Sequence, residues 1–356
     1  MKQKGPFAHR AFFAAAAVQG AAGIAVWVLV PGAAYSPVWH AHEMVFGYAL
    51  AVVAGFLLTK SSGREVAVAL AVWVAARLAW SVPGAPELVR AALTLASTGT
   101  IAALASRGFL HGVKRGWNAV FPALLSALVL GDLVVQFGVL VPETGVARPA
   151  LLVAVMLVVL LVVVMGGRIT GAALSGLAQR AGGPRIPPTP GLERVLVAAV
   201  GGVALALALG APILLAISAW TGAGALALRL AGWRSGFRHA GSDLQALAVA
   251  QLFIAVGLAG LGAGWLAPPW PESAPMHLLT VGGIGIATVT MMLKTHAQRE
   301  RCPPREWATA AAAVLLSVAA VMRALGHAAP DIAYPMAGLA WTAAMAVCLA
   351  GLLRRR

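Results

Sequence analysis

Residues 151–165 read LLVAVMLVVLLVVVM, an unbroken apolar run with no polar residue at either alternate position. A strand of a transmembrane barrel alternates lipid-facing and lumen-facing side chains, so a segment apolar on every side excludes that architecture. In hydrocarbon no water pairs the peptide groups, and a helix satisfies them within the segment itself. Outward from this stretch, apolar runs of about 20 residues recur along the whole chain, each long enough to cross about 30 Å of hydrocarbon at 1.5 Å per residue.

The spans expected from these runs are 11–30, 38–59, 66–82, 88–106, 117–140, 149–166, 195–211, 212–231, 243–266, 275–294, 306–324 and 332–353. Gly210, Ala211 and Pro212 supply the turn between the seventh and eighth, where almost no polar loop exists. Composition agrees: 60% of the 356 residues are hydrophobic, 10% are charged and the mean hydropathy is +0.87, too few charges to clothe a soluble surface. The expectation is an all-α polytopic membrane protein of about twelve helices, a single membrane domain over 1–356. Lys2, Lys4 and Arg10 precede a run too long for a signal-peptide core, so 11–30 is kept as the first span.

The formal net charge of +15 does not indicate a nucleic-acid partner, because the basic residues sit in short clusters between apolar runs. The clusters are Lys2 to Arg10, Lys60 with Arg64, Arg107 to Arg115, Arg168 to Arg194, Arg229 to Arg238, Lys294 to Arg305 and Arg354 to Arg356. Together they place 22 of the 26 Lys and Arg on one side. The other side carries Glu87, Glu143, Glu272 and Asp331, with Arg90 and Arg148 as its basic residues. This asymmetry implies cytoplasmic termini. His9, His111 and His239 fall among cytoplasmic basic residues and read as solvated, as does His296 beside Lys294. Cys302 and Cys348 share no CxxC or CxxCH spacing, so neither a disulfide framework nor a covalently attached haem is indicated.

Chemistry concentrates at Trp39, His40, Ala41, His42, Glu43 and Met44, opening the second span. Ser36 and Pro37 read as N-cap and first helical residue, which sets the cluster in the opening turns at the outer face. On a regular helix His40 shares a face with Glu43, Met44 and Gly47, while His42 points away, so one ion bound by both histidines is not expected. Neutral imidazole suits haem iron or copper, and the small residues below His40 leave room for a flat macrocycle. The competing reading is of interfacial histidines facing water and headgroups, with Gly47 and Ala51 serving helix packing. His277 opens the tenth span from the same outer side, with Thr280 and Thr288 on its face. Arg77, Arg323 and Asp132 lie in the outer halves of their spans, where the guanidiniums suit an anionic group such as a haem propionate, or else reach the headgroups. Arg168 reads as a topology charge.

With these residues in place the chain resembles the NnrS family, membrane proteins associated with the response to nitric oxide and described as containing haem and copper. The likeness is closest at WHAHEMVFGYALAVVAGFLLT (39–59). It continues through WVAAR (73–77), Asn118, GGRIT (166–170), RLAGW (229–233) and HLLTVGGIG (277–285). The resemblance implies a twelve-helix fold and puts His40, His42, Glu43, Arg77, Arg168, His277 and Gly282 at motif positions. It implies haem b as cofactor, nitric oxide as a ligand and the bacterial cytoplasmic membrane as location. The chain departs from the family at Ala248, within DLQALA (243–248), where a histidine is usual. It departs again after GFLLT, where Lys60 and Ser61 replace a tryptophan, and at LKTHAQRER (293–301), which replaces an LGHTGR ending. These departures put copper in question. The expected sites are therefore His42 and His277 on iron, Arg77 and Arg323 on the cofactor, and His40 with Glu43 at a second metal or proton-handling position. The alternative is a secondary transporter that couples substrate to protons through His40, Glu43, Asp132, Arg77 and Arg323.

Overall fold

The computed structural model describes residues 7–30, 35–110, 120–264 and 271–354; Lys2, Lys4, His111, Lys114, Arg115, Asn118, Arg355 and Arg356 lie outside them. Among the described residues there are helices and short turns and no strand. The helices are α1 (Phe7–Leu29), α2, α3 (Gly63–Ser81), α4 (Glu87–Leu110), α5 (Val120–Leu140), α6 (Ala147–Arg180), α7 (Pro190–Leu209), α8 (Pro212–Phe237), α9 (Ser242–Ala263), α10, α11 (Glu306–Leu325) and α12 (Pro330–Leu353). Two of the rods are interrupted by π-helix. α2 runs Pro37–His42, then π over Glu43–Ala49, then α over Leu50–Leu57, and α10 runs Ser273–His277, then π over Leu278–Gly285, then α over Ile286–Glu300.

Eleven of these helices are long and apolar enough to cross a membrane, which makes the chain an all-α polytopic membrane protein. The twelfth, α3, carries Arg64, Glu65 and Arg77 within its 19 residues. Leu78, Leu130, Leu205, Ile213, Leu228 and Val314 are all more than half exposed, as lipid-facing side chains are. The caps read from sequence are present. The Ser36 hydroxyl accepts the Trp39 N–H at 3.1 Å with Pro37 at the first helical position. Gly210, at φ +61°, closes α7 in the left-handed conformation before Pro212 opens α8. Ser62 and Glu65 add a reciprocal capping box at the start of α3. Several helices overrun their expected ends: α6 continues past Gly166 and Gly167 to Arg180, α8 past Ala231 to Phe237, and α10 past Lys294 to Glu300.

The chain divides into two compact units. The first comprises Met1–Leu157, Thr295–Cys302 and Leu352–Arg356. Here buried indole N–H groups tie helix to helix: Trp39 of α2 donates to the Trp80 carbonyl of α3 at 2.9 Å, Trp73 of α3 to the Gly47 carbonyl at 3.1 Å, and Trp80 to Thr94 Oγ1 of α4 at 2.8 Å. An indole buried in hydrocarbon needs such an acceptor.

The second unit comprises Val158–Lys294 and Pro303–Gly351, and in it α9 lies close against the π segment of α10. Without a hydrophobic force to join helices in lipid, close approach at small residues supplies the packing. A Cβ on Gly257 would stand 2.7 Å from Leu279 Cγ and 3.1 Å from the Leu279 nitrogen, and one on Gly282 would collide with the Phe253 ring. Gly257→Ala is therefore expected to cost ~1–3 kcal/mol by overpacking. Gly224→Ala, in α8 where an added Cβ meets nothing within 4 Å, should be neutral or stabilising. Thermal unfolding of the detergent-purified variants measures both, and equal melting temperatures for the two would show that α9 and α10 are not closely packed.

Candidate functional site: a buried polar network

The site assembles where α2 changes from α to π. His42 is the last α-helical residue and Glu43 the first of the π turn. The wider turn displaces side chains from the faces a regular helix gives them, and such turns are frequent at functional sites. Glu43 joins His42, Arg77 and Gln19, while the His40 ring stacks on Trp27 with centroids 5.1 Å apart.

Glu43 is wholly buried. Its Oε1 accepts from Arg77 Nη1 at 2.6 Å and lies 3.3 Å from His42 Nδ1, and its Oε2 accepts from Gln19 Nε2 at 2.7 Å. On the other side of the His42 ring, Nε2 is 3.2 Å from Gln136 Nε2 and 3.5 Å from Asp132 Oδ1. The Gln136 amide donates to Asp132 Oδ1 at 2.9 Å, and Thr98 Oγ1 donates to Asp132 Oδ2 at 2.6 Å. Because an amide nitrogen can only donate, His42 Nε2 is the accepting nitrogen and Nδ1 carries the ring proton toward Glu43. Trp80 lies flat on the imidazole, centroids 3.8 Å apart and planes 12° from parallel, which fixes the ring.

Two carboxylates, one guanidinium and one imidazole thus meet among α1 to α5 at almost no exposure. Charges at such depth require partners in hydrogen-bonding contact. His42 stands between the carboxylates, with Nδ1 toward Glu43 and Nε2 3.5 Å from Asp132 Oδ1 but nearer the Gln136 amide. Arg77 is incompletely satisfied: Nη1 is spent on Glu43, whereas Nε and Nη2 are buried without a hydrogen-bond partner.

The other expected residues lie in the second unit. His277 ends the first α segment of α10, immediately before its π turn. Its Nδ1 is 2.6 Å from the Ser273 carbonyl, which can only accept, so the ring proton is on Nδ1 and the lone pair on Nε2. Metal-binding histidines usually have this outer-shell pattern. Thr280 and Thr288 turn their hydroxyls onto the carbonyls of Met276 and Ile284 in their own helix instead of lining a polar wall. The Arg323 guanidinium lies 3.6 Å from the Tyr334 ring centroid, and its buried Nη1 has no hydrogen-bond partner. Arg168 is exposed, in keeping with a topology charge.

Arg229, His9 and His296 correct the sequence reading. Arg229, read as a cytoplasmic charge, is only 2% exposed; its Nη1 donates to Glu193 Oε2 at 2.9 Å and to the Val163 carbonyl at 3.2 Å, and its Nη2 to Gln251 Oε1 at 2.5 Å. Gly166 and Gly167 make this possible. A Cβ on Gly167 would stand 2.5 Å from Glu193 Oε2 and 2.8 Å from Arg229 Nη1, and one on Gly166 would stand 2.6 Å from Gln251 Nε2. The paired glycines are an approach surface for polar side chains and not the end of a helix, which explains the overrun of α6.

His9 is the second correction: it is 2% exposed and not solvated. Its Nε2 lies 2.9 Å from Glu300 Oε1, and its ring is 5.8 Å from that of His296, which is half-buried and not solvated as the sequence suggests. Among the described residues His9, His296 and Glu300 are one group of three whose ligand atoms all lie within 4.8 Å of one another. His239 is exposed as expected.

Compared with known families, the chain matches the model for NnrS protein over residues 6–355. It belongs to the NnrS family. No curated protein matches it. Membership places it among membrane proteins associated with the nitric oxide response. The NnrS-like segments also meet in space. Trp73 and Arg77 of WVAAR grip Gly47 and Glu43 of the 39–59 stretch, and Arg229 and Trp233 of RLAGW pack against Gly167 and Gly171, which lie in and beside GGRIT.

Proposed function

We propose that this NnrS-family protein binds haem b in the cytoplasmic membrane of a bacterium and acts in the handling or sensing of nitric oxide. The observation that carries the reading is Arg77: buried to 5% exposure, it holds two N–H-bearing atoms without partners, the donor set that a propionate carboxylate takes. His277 fits as an iron ligand through Nε2, its Nδ1–H being held by Ser273. Arg323, with its unpartnered Nη1, fits a second anionic group. His42 does not fit as it stands, because the Gln136 amide occupies its accepting nitrogen. We assign it to the polar network that it forms with Glu43, Gln136 and Asp132. Copper is not assigned to His40, His42 and Glu43, whose ligand atoms form no close group of three, and Ala248 adds no imidazole. Bound haem would supply an iron centre that takes nitric oxide as a ligand.

Visible spectra of the purified protein, oxidised and reduced, test this. A Soret band at about 400–430 nm is expected. His277→Ala should abolish or shift it. Arg77→Ala should lower haem per protein, and Arg168→Ala should leave it near the wild-type value. A spectrum without haem, or one indifferent to His277 and Arg77 alike, would overturn the reading.

The chain of Glu43, His42 and Asp132 favours a second reading, proton-coupled transport, since ionisable groups within membrane helices mark proton paths. Under it, Glu43→Gln abolishes proton movement in proteoliposomes. Under the first reading, the same variant leaves haem-dependent nitric oxide binding as its main readout.

A further inference from the structure

We propose that His9, His296 and Glu300 form a binding site for a divalent transition-metal ion of borderline softness, with Zn2+ as its probe. The site is separate from the haem reading and does not rest on it. Two imidazole nitrogens and a carboxylate oxygen are donors for zinc-like ions, whereas Mg2+ and Ca2+ take all-oxygen sets.

The sequence supplies two of the three ligands at i and i+4 on α10, a spacing that brings His296 and Glu300 onto one face. His9 comes from the opening turn of α1. The three ligand atoms lie within 4.8 Å of one another. Around a tetrahedral ion with bonds of about 2.0–2.2 Å, ligands stand roughly 3.4 Å apart, so His9 and Glu300, 2.9 Å apart, would separate by about half an ångström and no pair need close by more than about 1.4 Å.

The scaffold is already held. Arg299, next to Glu300, donates to the Gly55 and Phe56 carbonyls at 2.8 Å each, fastening the end of α10 to α2. His9 packs edge-on against Phe13 of its own helix. An open fourth position would be left to water.

Arg10 is the competitor. Its Nε donates to Glu300 Oε1 at 2.6 Å and its Nη2 to Oε2. The Arg10 side chain is 52% exposed, so it can release Glu300 into solvent contact, and an exposed ion pair resists this only weakly. The group therefore has two states of its carboxylate: paired with Arg10, or shared with an ion bound by two histidines.

Calorimetric titration of Zn2+ into the full-length, tag-free protein in detergent provides the test. One equivalent is expected, weakened ~10-fold or more in His9→Ala, His296→Ala and Glu300→Gln. Arg10→Ala should bind more tightly than wild type, a result that loss of a merely structural ion pair does not produce. Zn2+ should raise the melting temperature of wild type and of His277→Ala, but not that of His296→Ala. If the alanine variants do not fold, His9→Gln and His296→Gln carry the same comparison. Absence of a bound equivalent in wild type, full affinity in both histidine variants, or weaker binding in Arg10→Ala overturns the proposal. Loss of haem with zinc binding intact overturns only the haem reading.

Discussion

Replacing Arg229 by alanine is expected to destabilise the protein by ~3–5 kcal/mol, because breaking a buried pair from one side leaves its partners uncompensated. Arg229 joins three helices through Glu193, Gln251 and the Val163 carbonyl. Its removal leaves Gln251, at 1% exposure, facing a space that the paired glycines opened for a guanidinium. Arg229→Lys should recover little, since a single ammonium cannot serve partners reached through both Nη1 and Nη2. Unfolding midpoints in denaturant with matched detergent measure this. A melting profile of Arg229→Ala equal to wild type would mean that Glu193 and Gln251 find water.

Arg77→Met is expected to have a comparable effect, ~3–5 kcal/mol, for the same reason: Glu43 is left ionisable at zero exposure with Gln19 and His42 alone beside it. The double variant Glu43→Gln with Arg77→Met should be more stable than Arg77→Met alone. An interaction energy of ~1–3 kcal/mol from the complete cycle would measure the pair. Additive losses in that cycle would show that Arg77 acts by packing and not by charge.

The helices were legible because lipid imposes one rule on every residue of a span, and a run such as 151–165 displays it without knowledge of any partner. Ser36 with Pro37, and Gly210 with Pro212, were legible for a similar reason, since caps are settled within four residues. Polarity at depth marked His42, Glu43, Arg77 and Asp132, which the structure joins. Gln19, Thr98 and Gln136 complete the network but carry no charge, and a neutral side chain in a span gives a weaker signal. His9 reads as solvated from sequence because its neighbours in the chain are Lys2, Lys4 and Arg10, whereas its partner Glu300 is 291 residues away. Arg229 reads as cytoplasmic from sequence because a basic residue near the end of a span is usually a topology charge. The sign that it is buried lay in another helix, in Gly166 and Gly167.

The two π turns have a consequence for how relatives of this chain are compared. His42 and His277 each stand immediately ahead of one, and a π turn in an otherwise α-helical rod holds one residue more than the α-helix needs. Deleting a single residue from 43–49 or from 278–285 would let the rod close into continuous α-helix. Everything on one side of the deletion would then rotate by about 100° relative to the other. A relative one residue shorter between Trp39 and Gly55 would therefore cross the bilayer equally well while turning a different side chain toward Gln19 and Arg77. A one-residue gap at these two places is an exchange of chemistry, whereas the same gap in a loop would be silent.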